Sequence, residues 1–424
     1  MKRLLALAIL LVCAAWPAGA EIVADIVGRV PRQAHSYAEV MAALQELHAT
    51  PRVDCWSIGT THQGRTIAMA VVHDADSDPR ALRKIMIIAR QHGNEPAGGE
   101  AAIALLRHFA ASEGRAEVSL LQRVALLIIP MANPDGSAAA QRRNARGVDL
   151  NRDWAALSQP ETQAIEGAFL DWRPDVVIDL HELPAASSKP SYQENFVETI
   201  GTHAALPAAL SGSCGRTSAQ ISVWMKRYEI PLNCYYDTPG DDTRLCHRHF
   251  GLHHQVPSYL FESKTGRGRS LPERAAYHVL GVLVIANQLA YHYDEVVEPV
   301  QMAATPGPAP GDAAEVQPGT PAPPAPAPIA VSLGDPCADE AREGRTLLWA
   351  DIAGDEEFAY LTFELNGRVL VLTNREPWQY SLDPTACPEG PVEVAARAYD
   401  GSGRCIASDQ RTLTIVAPGA NLGE

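Results

Sequence analysis

Lys84 to Glu95 reads KIMIIARQHGNE, and the fold turns on how that stretch is read. Lys84 to Arg90 is a continuous apolar run of strand length, and Ala97 to Phe109 behind it has helical spacing. Strand, tight polar loop and helix make the unit from which sheets covered on both faces are built. A second run, Pro174-Asp175-Val176-Val177-Ile178-Asp179-Leu180, ends in His181. His92, Glu95 and His181 thus sit just beyond the ends of apolar strands, where α/β sheets collect functional groups. Two imidazoles and a carboxylate suit Zn²⁺ and leave its fourth position to water.

More elements follow outward from this centre. Tyr37 to Leu47 has helical periodicity and is stopped by Pro51. Val53 to Gly59 and Thr66 to His73 read as an edge hairpin turning at His62-Gln63-Gly64-Arg65. Val124 to Pro130 is another buried strand. Pro160 to Trp172 is a helix with Ser158 as its expected cap and Glu161 in its first turn. Ser258 to Glu262 is a strand ending in a carboxylate, and Ala275 to Leu289 is a long helix. The expected architecture is a mixed-sheet α/β/α domain. His92, Asn133, His181 and Glu262 gather at one edge of it.

Lys2 and Arg3 precede the apolar run Leu4 to Trp16, and Ala18-Gly19-Ala20 offers a cleavage site. Residues 1–20 are therefore expected to be a signal peptide, and the chain to be exported, periplasmic or secreted. The run is short for a membrane span, and Val12 before Cys13 does not suit a lipid anchor. Thr305 to Pro328 (TPGPAPGDAAEVQPGTPAPPAPAP) is rich in Pro and Ala and reads as a semi-rigid linker. The expected divisions are 21–302 for the large domain, 303–329 for the linker and 330–424 for a small one. A formal charge of −15 leaves no basic reservoir for nonspecific nucleic-acid binding.

The chain has eight cysteines, and no CxxC pair points to redox chemistry or a thiolate-held zinc. For an oxidising exterior, Cys387 is expected to pair with Cys405. Cys234 with Cys246 is a second plausible bridge. Cys55, Cys214 and Cys337 have no assigned partner.

The motifs His92-Gly93-Asn94-Glu95, Asn133-Pro134-Asp135-Gly136, Gly147 to Trp154 (GVDLNRDW), Asp179-Leu180-His181 and Phe261-Glu262, in this order, resemble the zinc carboxypeptidases of the carboxypeptidase A type, family M14. The resemblance covers about residues 35–295, and its wording is similar to a bacterial exported branch. It implies that His92, Glu95 and His181 bind one Zn²⁺ and that Glu262 is the general base. Arg152, with Asn151 beside it, would clamp the substrate's terminal carboxylate through its forked guanidinium. Arg142 would polarise the scissile carbonyl, with Arg143 as its competitor. Asp179, on the same strand face as His181, would accept from that imidazole, while Glu182 would be structural or at the pocket rim. The family's mobile tyrosine has no clean counterpart, and Tyr236, next to Tyr235, is the nearest choice. The short interval from Arg152 to His181 implies a trimmed wall. His247, His249, His253 and His254 are read as pocket wall or surface helix in preference to a second metal site.

Beyond the linker, Leu347 to Ile352, Ala359 to Leu365, Arg368 to Leu372, Val392 to Tyr399 and Arg411 to Val416 are short strands with an Asn366-Gly367 hairpin turn. The last of these resemble an immunoglobulin-like β-sandwich, able to bind a surface polymer, dock on the large domain or space it. The expected function is removal of a C-terminal residue from a peptide with a free carboxylate. The alternatives are a cell-wall peptide hydrolase acting on muropeptides with the same site, and a non-catalytic peptide- or polymer-binding protein. Glu21 to Ala34 is too short to form a folded inhibitory propeptide, so no zymogen is expected.

Overall fold

The computed structural model describes residues 19–186, 192–200, 208–235, 242–292, 327–334, 346–354, 357–374, 376, 378–382, 387, 389–400 and 404–415. The expected signal sequence up to residue 18, most of the linker, Tyr236 and Cys337 lie outside the described residues.

Strands β1 (Val53–Thr60), β2 (Thr66–Val72), β3 (Arg83–Ala89), β4 (Val124–Ile129), β5 (Val176–Leu183), β6 (Phe196–Thr199), β7 (Asn233–Tyr235) and β8 (Ser258–Lys264) form one mixed sheet in the order β1-β2-β4-β3-β5-β8-β6-β7. The centre is parallel: β3 pairs with β4 and β5, and β5 pairs with β8. The β1–β2 hairpin adds on antiparallel. Side chains alternate across this sheet with period two. Ile85, Ile87 and Ala89 enter a core shared with helices Gly19–Gly28, Tyr37–His48, Ala97–Ala111 and Leu271–Tyr291, while Met86 and Ile88 enter a second core with helix Pro160–Trp172, Trp154 and Phe250. Val177 belongs to that second face, so Asp179 and His181, two and four residues on, point the same way. Continuous apolar strands are what a sheet buried on both faces requires.

Several boundaries depart from expectation. β5 and β8 run past His181 and Glu262, which therefore lie within paired strands, directly opposite one another in register. Ser158 does not cap helix Pro160–Trp172, whose N-cap is Gln159 without a side-chain bond. Instead the Asp153 carboxylate accepts from the Ser158 and Gln159 amides (3.1 and 2.9 Å) and from the Thr162 hydroxyl. Helices Gly19–Gly28, Arg115–Leu121 and Ala208–Arg227, and strands β6 and β7, were not foreseen.

The C-terminal part contains β9 (Ala330–Leu333), β10 (Thr346–Ala353), β11 (Tyr360–Leu365), β12 (Arg368–Thr373), β13 (Gln379–Leu382), β14 (Gly390–Tyr399) and β15 (Cys405–Ile415), arranged as two antiparallel sheets, β12-β11-β14-β15 and β13-β10-β9. An apolar core including Leu348, Leu361, Phe363, Val394 and Ala396 lies in this part. β12 pairs with the edge strand β7 (Leu372 opposite Cys234), so one sheet runs from the large domain into the small one. Asn374 seals the junction, accepting from the Leu232 amide at 3.0 Å. The structure thus supports docking, one of the three roles open to this part.

Neither expected disulfide forms. Cys405 is an exposed free thiol and Cys246 a fully buried one. The Cys246 sulfur faces Asp179 and Gln91 beneath the site, where burial raises its pKa well above the ordinary thiol value. Among the described residues, no helix is long and apolar enough to cross a membrane.

Candidate metal centre

Directly after β3, Arg90 adopts φ 59°, a left-handed conformation that costs a non-glycine residue roughly 1–2 kcal/mol. Its guanidinium holds the turn by donating to the carbonyls of His35 (3.0 Å) and Gly93 (3.3 Å). This turn brings His92 to the sheet edge. Gly93 is obligatory in that loop, because a Cβ there would stand 2.1 Å from the Gly136 carbonyl carbon. The two glycines of HGNE and NPDG are thus packed against each other. Asn133 caps the short helix Pro134–Ala138, accepting from the Gly136 amide (2.8 Å) and donating to the Gln91 carbonyl (3.0 Å). Asp135 ties this loop to the β1–β2 hairpin through Thr61 and Arg65 (2.9 and 2.6 Å).

His92, Glu95 and His181 come together as a buried triad, each offering a donor atom within 4.8 Å of the others. His92 Nδ1 is 2.8 Å from Glu95 Oε1, His181 Nδ1 is 2.9 Å from Glu95 Oε2, and the two Nδ1 atoms are 2.9 Å apart. The opposite nitrogens face carboxylates: His92 Nε2 meets Asp149 (3.0 Å) and His181 Nε2 meets Asp179 (3.0 Å). When Nε2 carries the proton, both Nδ1 lone pairs face each other across the triad. A cation between them resolves that juxtaposition, and two neutral imidazoles with one carboxylate are a donor set that zinc accepts. The residues therefore fit a single Zn²⁺ site. Burial alone would raise the Glu95 pKa, but His92 and His181 override it and hold the carboxyl well below its usual range.

The supports behind the triad are deep. Gln91 donates to Asp179 (2.6 Å) and accepts from the Trp154 indole (2.8 Å). Asn151, expected beside Arg152 on the substrate side, has its carboxamide buried. Its Nδ2 lies 3.3 Å from His181 Nε2 and its Oδ1 accepts from the Cys246 amide at 2.8 Å. Asp149 goes to His92 and to Arg142 (3.1 Å), away from its chain neighbour Arg152. Burial raises Asp149 too, yet His92 and Arg142 hold it well below the carboxylate range. Glu182 is structural, bonded to Arg274 at 2.9 Å.

Arg142 is the arginine at the triad, 3.1 Å from Glu95 Oε1, with its side chain 43% exposed toward the open side. Arg143 points elsewhere, donating to the Gly147 carbonyl at 2.8 Å. Arg152 is exposed at the rim, bonded through Nη1 to the Asn151 carbonyl (2.6 Å) and within electrostatic reach of Tyr192 and Asp242. Glu262 reaches the triad from β8, with Oε2 buried and lacking a hydrogen-bond partner. Burial drives its pKa up to about 8, with Glu95 and Asp179 adding to the rise and His181 and Arg142 opposing it. Positive charge at the triad would pull that value back toward neutrality.

Gln91, Arg90, Trp154 and the His92-directed role of Asp149 were missed by sequence reasoning. Only their place inside or beside HGNE and GVDLNRDW hinted at them. His247 is buried against Glu198 (2.8 Å), whereas His249 and His254 both meet Glu166 (3.1 and 2.7 Å).

The sheet edge collects two imidazoles, a carboxylate, an acid with one buried unpartnered oxygen and an arginine, the kind of grouping from which a metal-dependent hydrolase site can be argued. The zinc carboxypeptidase family profile matches residues 37–190. Carboxypeptidase 2 of Trichophyton tonsurans is 39% identical over 94 residues, covering 22% of this chain and 17% of that protein. Carboxypeptidase SOL1 of Arabidopsis thaliana is 30% identical over 138 residues, covering 30% of this chain and 28% of that one. These matches span 17% and 28% of the relatives' length. The metallo-carboxypeptidase of Burkholderia cenocepacia shares the fold, with a TM-score of 0.51 at 22% identity over 60% of this chain and 69% of that chain. Residues 37–190 of this chain thus match the zinc carboxypeptidase family, its fold is that of a solved metallo-carboxypeptidase, and its His92, Glu95 and His181 could hold a metal ion.

Proposed function

We propose that this protein is an exported zinc carboxypeptidase that removes the C-terminal residue of peptides. The observation that carries the reading is the placement of Glu262, whose unpartnered buried carboxylate oxygen lies beside the His92/Glu95/His181 triad while Arg142 enters from another side. Zinc held by the triad supplies a Lewis acid that acidifies water and polarises a carbonyl. Glu262 accepts the proton of the attacking water and delivers it to the departing amine. Arg142 donates to the carbonyl oxygen as charge builds on it. Arg152 at the rim grips the terminal carboxylate, which selects for the last peptide bond. Asp149 and Asp179 keep both imidazoles oriented.

Residues 1–20 direct export, 21–302 form the catalytic domain and 303–329 the linker. Residues 330–424 form an immunoglobulin-like sandwich. Two antiparallel sheets whose strands share one apolar core support that description of the small domain.

Digestion of a peptide library, read by mass spectrometry with and without a chelator, tests the reading. The expected products lack one C-terminal residue and disappear when metal is stripped. Release from purified muropeptides alone would move the assignment to a cell-wall hydrolase. Turnover of neither class would favour a binding protein.

A further inference from the structure

We propose a second metal site in this protein, a structural site for zinc or a chemically similar divalent ion, formed by Glu166, His249 and His254. Apart from the catalytic triad, this is the only group of three such residues among those described whose donor atoms lie within 4.8 Å of one another. Glu166 projects from helix Pro160–Trp172 and divides its two oxygens between the rings: Oε2 lies 3.1 Å from His249 Nε2, and Oε1 lies 2.7 Å from His254 Nε2. Two imidazole nitrogens and a carboxylate are again a zinc-type donor set.

The backbone is shaped to make this cluster. Residues five apart on an α-helix, at 3.6 per turn, are rotated roughly 140° from each other. The chain instead widens to a π-helix over His249–His253, and the extra residue per turn swings His254 back toward the face of His249. Single π turns of this kind recur at functional sites. The exposed His253 stacks on His249 (ring centroids 5.4 Å, 23°) and stands edge-on to His254 (4.7 Å, 82°). Its exposed ring stands beside the cluster, available as a fourth donor.

Apolar rings enclose the inner side. Phe169 is 4.5 Å from the His254 ring, and Trp154 is 5.7 Å from that of His249. An ion here would clip helix Pro160–Trp172 to the turn whose Cys246 amide holds Asn151 behind His181. It would thereby brace the wall of the catalytic site without touching substrate.

The test counts zinc in the full-length protein after dialysis against micromolar free zinc and gel filtration. Wild type is expected to retain two equivalents, His92→Gln one, and the double variant His249→Gln/His254→Gln one. Zinc should also raise the Tm of His92→Gln, and this response should vanish when Glu166→Gln is added. One equivalent in the wild type, falling to none in His92→Gln, overturns the proposal and leaves a hydrogen-bonded Glu–His–His cluster. Two equivalents in the double variant also overturn it, by locating the second ion elsewhere. Should the double variant fail to fold, the zinc content and Tm response of His92→Gln decide alone, because its second cluster is intact.

Discussion

Two clusters in this molecule have the same composition, two histidines and a glutamate, and only one is built for hydrolysis. At His92/Glu95/His181 the rings point Nδ1 inward and face Asp149 and Asp179 with Nε2, and both Glu262 and Arg142 reach the same point. At Glu166/His249/His254 the rings use Nε2, and the neighbours are Trp154, Phe169 and Phe250. A ligand set defines what can bind, while the groups beside it define what can react. A carboxylate free to exchange a proton and a cation facing a developing charge are the additions that matter.

Mutations of those additions separate the two regions most sharply. Arg142→Ala is expected to lower kcat by about 10²–10³-fold, the cost of an oxyanion donor, with zinc content unchanged, while Arg143→Ala leaves kcat as it was. Steady-state kinetics on one peptide checks both, and equal losses would break the assignment. Arg152→Ala removes a charge-assisted contact worth roughly 1.5–3 kcal/mol and should appear mainly in KM. A peptide amidated at its C-terminus should lose the same amount with wild type and lose nothing further with the variant. Asp179→Asn is expected to weaken catalytic zinc binding by about 10–100-fold, measured by chelator competition, with the Glu166 cluster unaffected.

The smallest effect concerns the frame behind Arg142. Asn144, whose side chain holds the Arg146 and Val148 amides, also donates to Gln159 and Glu161. Burial raises the Glu161 carboxyl above its ordinary 4.5. Its contribution to stability is therefore complete below that pH and is lost as pH rises through the folded value. Glu161→Gln should accordingly gain Tm relative to wild type as pH rises above 4.5 and show no gain below it. A difference in Tm that is flat between acid and neutral pH would contradict this.

Legibility in the sequence followed how local each feature is. His92, Glu95, His181 and Glu262 were readable because each ends or interrupts an apolar run, and the structure brings them together. Asp149 was harder: its partner His92 is 57 residues away, and nothing next to Asp149 along the chain points to that contact. Helix Ala208–Arg227 was missed because Ser, Gly and Arg dilute its apolar face. β7 was missed because it is three residues long, and the docking of the small domain depends on that strand. The disulfide expectation failed at Cys246 because spacing along the chain carries no information on which way a sulfur faces.

On the proposed function, Glu262 moves protons at a zinc centre it does not help to hold. Metal analysis of Glu262→Gln beside single-turnover assays on a good peptide tests this most directly. The expected result is a full catalytic zinc complement with the hydrolysis rate reduced by about 10²–10⁴-fold. A variant that keeps its zinc and hydrolyses at the wild-type rate would contradict the account.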